Sequence, residues 1–310
     1  MNTQLAINAL RLNHCVGFKR RLRTCTDLSR AKAVDLVYKL YGPSLTPDTV
    51  PIIVLHGFLG GKRNWHTVSN RIACHTYRTV IAVDARNHGG SPHTDSHTYL
   101  DLAADVCKLI KKLHIKKSVI MGHSMGGRTA MVLALTEPSK IARQIVIDIS
   151  PVSTCQSLKK FFPHVLEVMS AMDFKGKDLA SAKMQAKSII LKHHLFKREE
   201  SMYFVLRNIG KLPDNSFGWE CNVQTLLKDF HHVADFPTEA LRGRTFEGPV
   251  LFIGGSESSF IPPEDITGIR QFFPKAVLRY IEDVGHNLHV QDPTTFFNMV
   301  IQFLAEGDKR

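Results

Sequence analysis

One serine in this chain has neighbours that suit it for nucleophilic attack. Gly122-His123-Ser124-Met125-Gly126-Gly127 follows the apolar run Ser118-Val119-Ile120-Met121 and leads into residues 126–136, which read as a helix stopped by Glu137-Pro138. Small residues two positions either side of Ser124 permit a sharp, strained strand-to-helix turn. Such a turn lifts the hydroxyl clear of the strand and places a helix N-terminus behind developing negative charge. By itself G-x-S-x-G is a weak signal, because Gly and Ser are common; the rival reading is a turn that does no chemistry or cradles a phosphate. The flanking strand and helix favour the nucleophile.

A neutral serine needs a base within hydrogen-bonding reach. With 16 histidines in the chain, a lone histidine carries little weight. His286 stands out because Asp283-Val284-Gly285-His286 follows the run Val277–Ile281 directly. His289 competes but reads as the way into a closing helix, and His123 as packed beneath the serine turn. Acyl transfer also needs two backbone N–H groups aimed at the carbonyl oxygen. Met125, next to the serine, is one donor; Phe58, in the glycine-rich His56-Gly57-Phe58-Leu59-Gly60, is the other. Neither side chain is needed for that task.

These residues must be positioned by a strand–helix alternation, which starts near residue 34. Pro51–Leu55, Thr79–Asp84, Ser118–Met121, Gln144–Ile149, Pro249–Ile253 and Val277–Ile281 are short apolar runs of the kind buried in a parallel sheet. Leu102, Val106, Leu109, Ile110 and Leu113 share one helical face over residues 99–113, and helices are also expected near 263–273 and at 293–305. Between about 151 and 245 the pattern is helical throughout and no strand is expected. Strand-rich halves around a helical insert predict an α/β fold, a mostly parallel central sheet flanked by helices with an inserted cap at 151–245. The core is then 31–150 and 246–310. On α-helical spacing, Phe161, Phe162, Val165, Leu166, Met169 and Met172 form a stripe that mostly packs downward, with Phe161, Met169 and Met172 as candidate pocket-lining residues.

The chain has 310 residues, 44% of them hydrophobic, and a formal net charge of +12. No apolar run is long enough to span a bilayer. Residues 1–30 hold six basic residues against one acid, and none of the first 26 is acidic. That composition, without the apolar core of a secretory signal, predicts a mitochondrial transit peptide. No basic run is interleaved with aromatics, so nucleic acid is not an expected partner. The 6 cysteines form no C-x-x-C pair, which indicates neither a zinc site nor a disulfide framework.

His56-Gly57-Phe58-Leu59-Gly60 with Asn64-Trp65, Asp84-Ala85-Arg86-Asn87-His88-Gly89-Gly90-Ser91-Pro92, the serine motif, and Asp148-Ile149-Ser150-Pro151 resemble the α/β-hydrolase superfamily from about residue 34 to 305. The second and last blocks are the specific ones, and they are similar to a branch of mitochondrial serine hydrolases and related bacterial esterases. The resemblance implies esterase activity, extending to a lipase that frees a fatty acid from diacylglycerol, with no metal or organic cofactor. Partners would be a small-molecule ester or acylglycerol and, transiently, a membrane surface. In this superfamily the order is Ser, acid, His, and the acid is where the chain departs. Where an aspartate is usual, Gly255-Ser256-Glu257-Ser258-Ser259-Phe260-Ile261-Pro262 carries Ser258. Asp148 at the end of the preceding core strand is the favoured acid; Glu257, or Ser258 with water and no carboxylate, are the alternatives, and the rival reading of Asp148 is a cap on the turn that follows it. Asp84 and Arg86 read as ties for the loop 84–92, and Trp65 as core. An epoxide hydrolase or dehalogenase would need an aspartate nucleophile. A cofactor-free perhydrolase, or a binding protein that keeps the fold without turnover, stay open as alternatives.

Overall fold

The computed structural model describes residue 28 and residues 31–196 and 199–306. The expected leader, residues 1–30, lies outside them save for residue 28. In chain order the first half contains β1 (Tyr38–Tyr41), β2 (Ile52–Leu55), α1 (His66–Thr76), β3 (Val80–Val83), α2 (Tyr99–Lys112), β4 (Ser118–His123), α3 (Met125–Thr136) and β5 (Ile141–Ile147). The middle stretch contains α4 (Gln156–Ser170), α5 (Leu179–Lys192), α6 (Glu199–Leu206), β6 (Ile209–Lys211), β7 (Phe217–Trp219), α7 (Val223–Lys228) and α8 (Phe230–Ala234). The chain ends with β8 (Val250–Gly255), α9 (Ile266–Phe272), β9 (Ala276–Ile281), α10 (Leu288–Gln291) and α11 (Pro293–Ala305).

Seven strands make one sheet in the order β1-β3-β2-β4-β5-β8-β9. Only β1 is antiparallel to its neighbour. Strands such as Ile52-Ile53-Val54-Leu55 are buried throughout, because β-branched side chains fit a pleated surface that helices cover on both sides. Alternation sends Ile53 and Leu55 to one face, against Leu102 and Val106 of α2 and Met131 and Leu135 of α3. Ile52 and Val54 go to the other, against Trp65, Ile72 of α1 and Phe296 and Val300 of α11. Each such side chain stabilises the fold by roughly 1.5–3 kcal/mol through burial.

The helices on these faces start where their caps dictate. The Thr98 hydroxyl accepts the Asp101 N–H at 3.2 Å, with Asp101 in the first turn of α2 and Lys111 and Lys112 in the last, a charge order that complements the helix dipole. Asp292 accepts the Thr295 N–H at 2.9 Å, and Pro293 opens α11.

Register aligns the carboxyl ends of the central strands. Leu55 pairs with Gly122, His123 with Ile147, Ile147 with Ile253 and Gly255 with Ile281. The chain leaves β2 for β3 on one side and then returns to β4 on the other, which opens a crevice at that edge, where open α/β sheets bind ligands. The middle stretch departs from the helix-only expectation, since β6 and β7 form an antiparallel hairpin with Ile209 opposite Trp219. Its strands have three residues each around a tight turn at Asn215 (φ 66°), too few to show a period of two.

Candidate active site

Ser124 is the cap residue between β4 and α3, with φ 51° and ψ −115°. A non-glycine residue in that region carries about 1–3 kcal/mol of strain, which the surroundings must hold in place. They do so by close backbone approach. A Cβ at Gly122 would lie 2.1 Å from the Gly126 carbonyl oxygen, and one at Gly126 would lie 2.4 Å from that of Leu55. The Ser124 N–H donates to Ile147 O at 2.9 Å, which pins the turn to the end of β5.

One residue beyond, Asp148 also turns through positive φ (50°) and is fully buried. Its Oδ1 accepts the Gly255 N–H at 3.0 Å, and its Oδ2 accepts from His286 Nδ1 at 2.7 Å and from the Ser258 hydroxyl in a short contact. Three donors satisfy a carboxylate that would be heavily penalised if buried alone. Of the three alternatives for the acid, the structure brings Asp148 to His286. Glu257 is exposed, with its amide bonded to Val284 O at 3.0 Å, and Ser258 touches Asp148 instead of the histidine.

With its Nδ1–H donating a hydrogen bond to Asp148, the neutral form of the His286 ring has a bare Nε2 on the opposite side. The ring is stacked on Phe260, with centroids 3.8 Å apart and planes at 20°. Its backbone oxygen accepts from His123 Nε2 at 2.9 Å, so His123 clamps the histidine loop onto the serine turn. Burial, followed by the neighbouring His286 and His289, holds His123 well below the usual histidine range, in its neutral form. His289 does not line the cavity that Ser124 and His286 share. It is stacked on Trp65 at 4.5 Å, and burial pushes its pKa down to about 3.

Met125 opens α3, so its amide lies outside the helical ladder. Among the described residues no hydrogen bond uses the Phe58 amide. The loop carrying Phe58 is held by two buried histidines. His56 donates from Nδ1 to Gly57 O at 2.8 Å and accepts the Ala85 N–H at 3.0 Å, while His88 donates from Nδ1 to Arg86 O at 3.0 Å and accepts the Leu59 N–H at 3.2 Å. Both geometries require one bare nitrogen, in keeping with the burial that lowers both residues, His88 to about 3. Asp84 binds the Lys62 and Gly90 amides at 2.7 and 3.0 Å, and Arg86 grips Asp105 at 2.6 and 2.7 Å, so both tie loops beneath the site. Trp65 is core.

Ser124 and His286 line one cavity of about 340 Å³ with walls of Phe58, Phe161, Phe162, Phe196, Phe204 and Phe260. Phe161 is therefore at the site, but Met169 is fully buried in the packing of α4, and Met172 lines a separate depression with His164 and His193. Helical spacing places residues on a face without saying how far along the helix that face leaves the core. Phe196, Phe204 and Phe260 went unnoticed in the sequence, because they come from separate segments with no shared period.

Residues 50–293 match the model of the family described as alpha/beta hydrolase fold. The chain is 34% identical over 293 residues to the sn-1-specific diacylglycerol lipase ABHD11 of Danio rerio, covering 94% of this chain and 89% of that protein. It is 36% identical over 290 residues to its counterpart in Xenopus laevis, covering 94% and 90%. Among solved structures, a marine microorganism esterase superposes with a TM-score of 0.77 at 29% identity, over 87% of this chain and 100% of that one. A parallel sheet with this strand order, a strained serine turn at its edge and a family match across most of the length converge: the chain belongs to the α/β-hydrolase fold family.

Proposed function

We propose that this carboxylic ester hydrolase is a serine esterase acting on lipid-like esters, acylglycerols foremost, through an acyl-Ser124 intermediate. His286 Nε2 removes the Ser124 proton as the oxygen attacks the ester carbonyl, and Asp148 holds the ring in the required tautomer and stabilises the imidazolium. The Met125 and Phe58 amides receive the oxyanion; a single such donor contributes on the order of 100- to 1000-fold in turnover. The alcohol leaves with the proton from His286, and water, activated by the same ring, releases the acid and restores Ser124.

The observation that carries this reading is the 2.7 Å bond from His286 Nδ1 to the buried Asp148 carboxylate, with His286 and Ser124 walling the same aromatic cavity. Phenylalanine walls suit an acyl chain and exclude the water that would weaken the oxyanion interactions. The stretch 151–245 acts as the cap that supplies most of those walls, and the mature enzyme works in the mitochondrial matrix. The diacylglycerol lipase names of the Danio and Xenopus relatives support an acylglycerol substrate. Labelling with a fluorophosphonate tests the chemistry: the unmodified protein is expected to label and Ser124→Ala to lose the label entirely. Persistent labelling of the Ala variant would disprove the assignment.

A further inference from the structure

A second cavity, of about 560 Å³, lies beside the aromatic one and differs from it in character. The two meet at Phe204, which lines both. From Phe204 the chain continues through Val205, which faces the aromatic cavity, to Arg207 and Asn208, which face the second. The far wall is the loop that follows Phe58, with Leu59, Gly60 and Gly61. Anything that fills both cavities passes the loop that carries the Phe58 amide.

The charges around the second cavity do not cancel. Its two acids are already engaged, Asp84 by Lys62 and Glu220 by Arg63. Three further cations line it, Lys183 on α5, Arg207 after α6 and Lys211 at the end of β6. No hydrogen bond or ion pair among the described residues engages their charged ends. Two of the backbone segments that carry them are fixed. The Asn208 side chain is buried and donates to Leu59 O at 2.8 Å, and Lys211 is paired opposite Phe217 in the hairpin. Uncompensated cations around a concavity raise the local concentration of anions.

We propose that this second cavity binds an anionic headgroup, a phosphomonoester, of an ester whose acyl chain occupies the aromatic cavity. The inference rests on the hydrolase reading above. Arg207 supplies a planar fork that matches phosphate oxygens, and Lys183 and Lys211 supply point charges. The neutral ester and the phosphorylated ester then share one acyl site and differ only in what Lys183, Arg207 and Lys211 do for them.

The test compares 1-octanoylglycerol 3-phosphate with 1-octanoylglycerol on the full chain at low ionic strength. kcat/KM is expected to favour the phosphorylated ester by about tenfold, as three cations acting together, Arg207 and Lys211 exposed and Lys183 half-buried, would give. In the Lys183→Ala/Arg207→Ala/Lys211→Ala variant the ratio is expected to fall to about one. In the unmodified enzyme it should decline several-fold as salt is raised past about 0.5 M, where exposed charges are screened. A ratio near one in the unmodified enzyme, or a raised ratio that survives the triple substitution, overturns the proposal. Inorganic phosphate that binds in calorimetry while the substrate ratio stays near one would assign the cavity to a free anion and also overturn the headgroup reading. Turnover of p-nitrophenyl butyrate by the unmodified enzyme separates the two levels, because its absence would sink the hydrolase reading itself.

Discussion

The hydroxyl of Ser258 and Nδ1 of His286 converge on the same oxygen of Asp148, although they lie in the loops after β8 and β9 while Asp148 directly follows β5. The strands are neighbours in the order β5-β8-β9, so the loops after three adjacent strands meet at one carboxylate. The loop after β8, the usual source of the acid in the superfamily that the sequence resembles, here contributes a hydroxyl donor, and the proposed acid lies just after β5, the neighbour of β8 in the sheet. Several consequences can be measured.

Asp148→Asn is expected to reduce kcat for a p-nitrophenyl ester by on the order of 10³–10⁴-fold, because an amide in that place favours the wrong histidine tautomer. Glu257→Gln, at an exposed position, should leave kcat within about twofold, since surface substitutions of this kind are close to neutral. If Glu257→Gln is the damaging change and Asp148→Asn turns over normally, the acid is misassigned.

Ser258→Ala removes one donor from a buried carboxylate that keeps two others. A loss of about five- to thirtyfold in kcat follows from a hydrogen bond to a charged group worth ~1–2 kcal/mol. Because Ser258 is a positioning residue, its loss should lower kcat while leaving KM within about twofold, as it acts through Asp148 and not on the substrate. Ser258→Thr, which retains the hydroxyl, should restore most of the rate. A rise in KM matching the fall in kcat, or no rescue by Ser258→Thr, would point to a merely structural part.

Gly126→Ala should destabilise the fold by about 1–3 kcal/mol and disturb catalysis as well, because the new methyl group meets the Leu55 carbonyl oxygen 2.4 Å away. Urea unfolding gives the first effect and kcat the second. The coupling arises because relieving the clash moves the end of β2, and with it the loop bearing Phe58.

Buried histidines make stability depend on pH in a defined direction. His88 and His289 are lowered from 6.5 to about 3, so on acidification the unfolded chain takes up protons that the folded one refuses. Their contribution is complete above about pH 6.5 and is lost as pH falls toward 3, at up to about 1.4 kcal/mol per pH unit for each histidine. Urea midpoints should therefore drop between pH 7 and pH 5. His289→Phe, which keeps a ring against Trp65, should flatten that slope by about one proton. Midpoints that are equal at the two pH values would contradict the burial argument.

Residues 1–30 fused to a fluorescent protein are expected to direct it to mitochondria, and Arg20→Gln/Arg21→Gln/Arg23→Gln to release it to the cytosol. A cytosolic unmodified fusion would refute the address.

What could be read without coordinates was whatever short-range chemistry writes into neighbouring positions. Glycines flank Ser124 because the backbone passes too close for a Cβ, and apolar runs such as Ile52–Leu55 announce strands buried on both faces. His286 was marked by its place directly after the final strand. The alternation of strands and helices was enough to expect a mostly parallel α/β sheet, and the motif blocks that resemble the superfamily were enough to expect an α/β-hydrolase.

The long-range relationships were decided in three dimensions. The sequence favours Asp148 because its strand ends at the edge that carries Ser124, but Glu257 and Ser258 follow a strand ending there too and stay open. The ranking comes from the register of Ile147 with Ile253 and from the positive φ that turns the Asp148 carboxylate toward the Gly255 amide, the Ser258 hydroxyl and His286. The aromatic cavity is likewise assembled from Phe58, Phe162, Phe204 and Phe260, residues scattered over some two hundred positions. Periodicity encodes which face of an element is apolar. Which faces meet, and which side chain reaches which, depends on packing between segments distant in the chain.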